Sequence, residues 1–372
     1  MQRTKSKKEE KSTLLWLSVY SCALIIFFCI MYQFNWKEGA SEDYKRNHPS
    51  AKQIGLWIRD ISLDNKTLLF GYGSPYSMKL GTYNLSTGQV HVYNTGEINK
   101  MNYVPSFSND GEKIVFIASR ERDYTTNIYI VNTDGTDLRQ ITKNLEVKND
   151  NIIHAEMPSF SPDKKRVIYM KSHRKRTRVY PLSGEMNSDW DIYEVEIETG
   201  AERKLTNYNF YEICGPPFYM PDGKQFLFAG EGLYNPTGKG PKDFKEYEMK
   251  YQKNFIFIIN GKENELKPAF TNGSNSKMPS VSSDNAILFL SEATENDGSK
   301  ITQDLYLYKN DNISRLTRLN SYIVWAKISR SGSHIIFYKK NEKTDPDWSD
   351  WIINTDGSSL KEINIPLELL KK

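Results

Sequence analysis

The stretch PSFSNDGEKIVFIASR, residues 105–120, is written again as PSFSPDKKRVIYMKS at residues 158–172. Both copies run proline, serine, aromatic, serine, then an aspartate just before a polar turn and an apolar run. Aligning that aspartate recovers the pattern along the whole chain: ISLDNK at Asp64, FSNDGE at Asp110, FSPDKK at Asp163, YMPDGK at Asp222, VSSDNA at Asp284, and ISRSGS with Ser331 in the aspartate place. The intervals of 46, 53, 59, 62 and 47 residues are those of a repeat architecture, not of scattered domains.

Each copy continues alike. The turn leads into an apolar strand (TLLFGY, KIVFIA, RVIYMK, QFLFAG, AILFLS, HIIFYK), a segment of variable length, and a second β-rich run such as NIYIVN, DIYEVE or DLYLYK. A Gly/Asn/Asp turn and a last short strand such as LRQITKN or ERKLTNY close the unit. With the strand that ends in PSFS, every unit holds four short strands. Six such units closed radially predict an all-β, six-bladed propeller over residues 54–365, the architecture that leaves only short, protected edges. The aspartate is expected to make an Asx-type turn, and the aromatic two places after the proline to pack between blades.

Ahead of the repeats, residues 12–36 (STLLWLSVYSCALIIFFCIMYQFNW) carry no charge and are long enough to cross a bilayer of about 30 Å. Trp16, Tyr32 and Trp36 stand near the ends of this run, where amphipathic rings prefer the interface. Residues 1–11 hold five Lys/Arg against two acids. The expectation is therefore a basic cytoplasmic tail (1–11), a transmembrane anchor (12–36), a linker (37–53), the propeller outside the cytoplasm, and a C-terminal tail (366–372). Residues 12–372 carry a net charge of only +1, which argues against nucleic acid as a partner. Cys22 and Cys29 lie in the apolar stretch and leave Cys214 alone, so neither a disulfide framework nor a cysteine metal site is expected.

The repeats PSFSNDGEKIVF…NIYIVNTDGTDLRQITKN and PSFSPDKKRVIYM…WDIYEVEIETGAERKLTN resemble those of the TolB-type six-bladed propellers. Similar repeats occur in oligogalacturonate lyases and in the propeller domains of prolyl-oligopeptidase-like peptidases. The resemblance is strongest over blades two, three and five and weakest over one and six. It implies the fold and leaves the activity open.

Two kinds of connection alternate in a blade. Those made by the aspartate turns stay short, whereas those between second and third strands vary widely, as in residues 172–189 and 231–253. Length variation concentrates where loops are free to bind, so the variable face is the expected functional face. Blade three adds a basic loop, Arg174, Lys175, Arg176 and Arg178, suited to phosphate or carboxylate groups or to solvent alone. The inner strand of blade three passes His154 and Glu156 near the channel mouth. Positions equivalent to Glu156 are Trp57, Tyr103, Gly215, Lys277 and Val324, which make a mouth suited to a peptide or sugar.

Catalytic signals are poor. Five histidines are scattered, and neither a G-x-S-x-G elbow nor a phosphate-binding glycine loop occurs. The Asp or Asn opening the third strand (Asn127, Asp191, Asn254, Asp304, Asp350) reads as turn capping. The function expected is a membrane-anchored binding or scaffold module without a cofactor. Its partner would be an envelope protein, a peptide, or an anionic polymer or lipid headgroup. A glycan-processing enzyme of the oligogalacturonate-lyase kind is the alternative.

Overall fold

The computed structural model describes residues 55–74, 77–96, 98, 104–118, 126–143, 151–175, 190–208, 210, 212–231, 254–262, 266–270, 272, 274–294, 301–341 and 348–370. The anchor expected at 12–36, with its tail and linker, lies outside them, as do Tyr103, Arg176 and Arg178. Among the described residues no helix is long and apolar enough to cross a membrane.

Among the described residues, twenty-four strands fall into six antiparallel sheets, each built from consecutive chain. Blade one comprises β1 (Gly55–Ile61), β2 (Thr67–Ser74), β3 (Ser77–Asn84) and β4 (Val90–Val92). Blade two holds β5 (Ser106–Phe107), β6 (Lys113–Ala118), β7 (Asn127–Asn132) and β8 (Arg139–Gln140). In blade three, β9 (Asn151–Phe160) and β10 (Arg166–Lys175) form a tall hairpin, followed by β11 (Asp191–Glu196) and β12 (Glu202–Lys204).

Blade four departs from this pattern. Its inner strand is broken into β13 (Glu212–Ile213) and β14 (Phe218–Tyr219), and both halves pair with β15 (Phe226–Glu231). The sequence between them is Cys-Gly-Pro-Pro, whose two prolines cannot donate to the ladder. Outside β16 (Asn254–Ile259) the fourth rung shrinks to one bridge, Ile256 to Phe270. Blade five is regular, with β17 (Ser276–Val281), β18 (Ile287–Thr294), β19 (Ile301–Lys309) and β20 (Asn312–Arg315). So is blade six, with β21 (Ile323–Ile328), β22 (His334–Lys340), β23 (Trp348–Asn354) and β24 (Lys361–Glu362).

The core is not one mass but six wedges, one between each pair of neighbouring blades. Phe160 packs with Val115, Ile117 and Ile130 of blade two, and Tyr219 with Ile168 and Met170 of blade three. The ring closes because Ile58, Leu68 and Phe70 of blade one share a wedge with Ile336 of blade six. Among the described residues no strand is shared across that closure. Ile365 and Leu370 add to the same wedge, with a 3-10 turn at Leu367–Leu370.

The repeated aspartate makes the expected turn. A serine two places earlier donates to it (Ser62 to Asp64 at 2.5 Å, Ser108 to Asp110 at 2.6 Å), and its carboxylate accepts the backbone N–H two places on (Lys66 at 3.0 Å, Glu112 at 3.2 Å). Ser331 serves in blade six through Ser329 and Ser333. The repeated proline has its own reason. Pro158 and Pro279 sit in β-bulges, between Glu156 and Ser159 and between Lys277 and Ser280, where the ladder needs no donor. Met157 and Met278, in the same bulges, take a positive φ of 56° and 52°.

Candidate functional site

The residue after each bulge proline points to the axis. In blades two, three and five it is Ser106, Ser159 or Ser280; in blades one, four and six it is Asp60, Phe218 or Lys327, and all six are buried. The substitutions close the channel at its waist. Lys327 Nζ lies 2.7 Å from Asp60 Oδ2 and 2.9 Å from Ser106 Oγ, and Ser106 Oγ donates to Asp60 at 3.0 Å. Asp60 also accepts the Phe107 N–H at 2.8 Å. The ammonium stands 5.3 Å from the ring centre of Phe218, two blades away across the axis. Burial pushes the Lys327 ammonium down and Asp60 pulls it back up.

Above the waist, at the end where β1, β9 and β17 begin, lies the mouth. The residues expected there sort into two groups. Lys277 stands 5.6 Å over Tyr322, which is 44% exposed. With its side-chain amide turned over, the buried Gln303 would accept from Lys277 Nζ at 2.7 Å and donate to Ile323 O at 2.5 Å. Trp57 belongs to the second group, with its indole folded back over Gly55. A Cβ at residue 55 would come within 2.4 Å of that ring, so glycine is what lets it lie there. Burial pushes the Tyr338 phenol up, and the Trp57 indole beside it pulls the other way. Glu156 is half-buried on β9 opposite Met170, while Gly215 is buried in the break of blade four.

The basic loop begins later than expected. His173, Arg174 and Lys175 belong to β10, paired with Ile153, Ile152 and Asn151, because the blade-three hairpin extends beyond its neighbours. His154 lies in the same hairpin opposite Ser172. Arg174 and Lys175 therefore ride on the end of a strand.

The residues opening the third strands do not cap turns. Asp191 accepts Thr206 Oγ1 at 2.6 Å and the Tyr208 N–H at 2.9 Å, with Lys204 Nζ 2.9 Å away. Asp304 accepts Thr317 Oγ1 at 2.8 Å and pairs with Arg315 at 2.6 Å. Asn127 bonds Thr142 at 3.1 Å. In each blade the threonine oxygen also accepts a third-strand N–H, from Ile128, Ile192 or Leu305. Each tie joins the third strand to the chain leaving the fourth, 13 to 15 residues on. The signal was in the sequence, in the threonine of ITKN, LTNY and LTRL.

Blade six breaks this rule, and the break exposes residues that reading by motif missed. Exposed Asn364 stands in the threonine place, two residues past β24. The place of Asp191 and Asp304 falls to Ser349, while Asp350, the next residue and 6% exposed, faces the other side of the blade and accepts the Ile58 N–H of blade one at 3.2 Å. Burial pushes its carboxyl up to about 7, against the pull of Arg59. Across the blade, Trp325 pairs with Tyr338 and Tyr338 with Asp350, so the three share a face. Arg59 lies over Trp325 at 5.1 Å and Tyr338 at 5.8 Å, and Trp348 stacks on Tyr338 at 5.5 Å. Among the described residues the buried Trp325 indole N–H has no hydrogen-bond partner.

This geometry defines a six-bladed β-propeller of TolB-like fold, whose first and last blades share no strand among the described residues. The chain is similar to TolB from Acinetobacter baumannii, with a TM-score of 0.53 and 16% identity over 79% of this chain and 62% of that one. It is also similar to an oligogalacturonate lyase in complex with manganese, with a TM-score of 0.51 and 14% identity over 82% and 75% of the two chains. A third similar structure is the β-propeller domain of the Trilobed protease from Pyrococcus furiosus, described as having an open velcro topology (TM-score 0.50, 13% identity, 84% of each chain). At these identities the likeness is one of fold. The chain spans less than two thirds of the Acinetobacter TolB. No protein-family model matches the sequence, and no curated protein matches it.

Proposed function

We propose that the chain is a membrane-anchored, extracytoplasmic propeller that serves as a binding or scaffold module through its variable face. One observation carries this reading. The axis is filled at the waist by Lys327, Asp60, Ser106 and Phe218, while the mouth above it presents half-buried rings and cations: Trp57, Arg59, Tyr338, Lys277 and Tyr322. A ligand reaching the axis from that side is stopped at the mouth. Tyr, Trp and Arg are also the side chains that dominate protein-binding surfaces. The partner class is an envelope protein or a peptide segment of one. The end of the blade-three hairpin, with Arg174 and Lys175, supplies a basic edge for an anionic neighbour. The uncharged run at 12–36 and the basic tail before it supply the anchor and its orientation.

The test is recovery of partners by cross-linking and pull-down with the full chain in its membrane, comparing wild type with Trp57→Ala and Lys277→Gln. Both variants should fold and both should lose partners. Undiminished recovery with both would remove the mouth from consideration. A reporter fused after Lys372 should be active only outside the cytoplasm, and activity inside would overturn the orientation.

A further inference from the structure

The seam between blades six and one differs from the other five in what it does with a carboxylate. In blades three and five the buried aspartates Asp191 and Asp304, one register place earlier and on the other face of the blade, receive a threonine hydroxyl, a backbone N–H and a cation. Asp350 receives one backbone N–H, from Ile58, and that donor belongs to the opposite side of the seam. The charged and titratable groups facing it are few. Arg59 reaches in from β1, with its guanidinium spread over Trp325 and Tyr338 and bonded to the Ile58 carbonyl at 3.0 Å. Tyr338 is the phenol beside it on β22, and Lys340 stands exposed at the end of that strand. Deeper in the seam, Asp60 and Lys327 are committed to each other. The strand after it, β24, brings only the Ile363 N–H, to the Asp350 carbonyl.

A neutral acid suits this place. It keeps the Ile58 bond through its carbonyl oxygen and carries no charge into the wedge. The anion gains little there, because it meets one backbone N–H while the nearby Arg59 guanidinium is spread over Trp325 and Tyr338. We infer that the seam between blades six and one is a pH-sensitive closure, held shut by the neutral Asp350 carboxyl and loosened when that carboxyl ionises. Since Trp57, Arg59 and Tyr338 belong to both seam and mouth, loosening also changes the binding face.

The direction follows from linkage. In the closed seam the carboxyl is pushed up to about 7, while opening returns it to water and its ordinary 3.8. The closed form therefore holds a proton that the open form releases. Closure is strongest below pH 4 and weakens as pH rises through 7. Between pH 5 and pH 8 the closed-to-open ratio should fall by roughly a hundredfold.

Hydrogen exchange of the full chain in detergent reads this directly, after correction for the intrinsic pH dependence of exchange. Peptides covering β1 and β23 should lose about two decades of protection from pH 5 to pH 8, while those covering β11 and β19 hold theirs. Asp350→Asn should keep the seam protected at both values. The inference is overturned if wild-type seam peptides show no slope, if the control strands share it, or if Asp350→Asn retains it. Should Asp350→Asn fail to fold, the wild-type chain decides the matter alone: a seam slope no steeper than that of the control strands overturns it.

Discussion

Blades two, three and five follow the repeat closely; blades one and six, which meet to close the ring, leave it at the same few places. Where the regular blades have a bulge proline, blade one has Arg59 and blade six Ala326. Where they have a buried serine facing the axis, these two have Asp60 and Lys327. Where they tie the third strand with a threonine, blade six has Asn364. The regular blades spend these positions on satisfying their own backbone. The closing pair spends them on each other: Lys327 on Asp60, Arg59 on Trp325 and Tyr338, Ile58 on Asp350. A ring whose ends share no strand among the described residues is held at its last interface by side chains and shared core. The departures from the repeat are therefore what weak blade-one and blade-six motifs look like once folded.

Removing the waist pair is the strongest way to break this contrast. Asp60→Ala leaves Lys327 buried without its counter-ion, and loss of one partner of a buried pair costs about 3–5 kcal/mol. Urea denaturation should show that loss. The double variant Asp60→Ser with Lys327→Ser writes the regular pattern into the closing blades and should recover most of it, since no charge is then stranded. If the double variant is no better than the single, the pair is not what the two positions are for.

The regular blades can be disturbed in turn. Thr206→Val and Thr317→Val take a hydroxyl from Asp191 and Asp304 and leave a third-strand N–H unpaired, at about 1–3 kcal/mol each. Thermal unfolding should show similar losses for the two, because the ties are alike. Asn364→Thr should move stability the opposite way. A neutral outcome for both valines would mean that the cation and backbone donors suffice without the hydroxyl.

The smallest effect belongs to the mouth. Gly55→Ala puts a Cβ against the Trp57 ring, which must swing away. Stability should change by less than about 1 kcal/mol, since the far end of a side chain can yield. Tryptophan emission should shift, because the indole moves into water. An unaltered spectrum would place Trp57 elsewhere than over Gly55.

By itself the sequence determined the number of blades, their strand order, the Asp turns and the face on which length varies. These are local matters, set by short-range turn chemistry and alternation and repeated often enough to be read by comparison of the chain with itself. Trp57 and Lys277 were legible as mouth residues because they fall at one repeat position. Arg59, Trp325, Tyr338, Gln303 and the true role of Asp350 were not, because each depends on a partner in another strand or blade. Asp60 and Lys327 stand 267 residues apart, and nothing in either neighbourhood announces the other. The aspartates of blades three, five and six all read as openers of a third strand. Only the ladder decides that Asp350 stands one place further on, so that it faces the seam and Ile58 where Asp191 and Asp304 face a threonine and a cation.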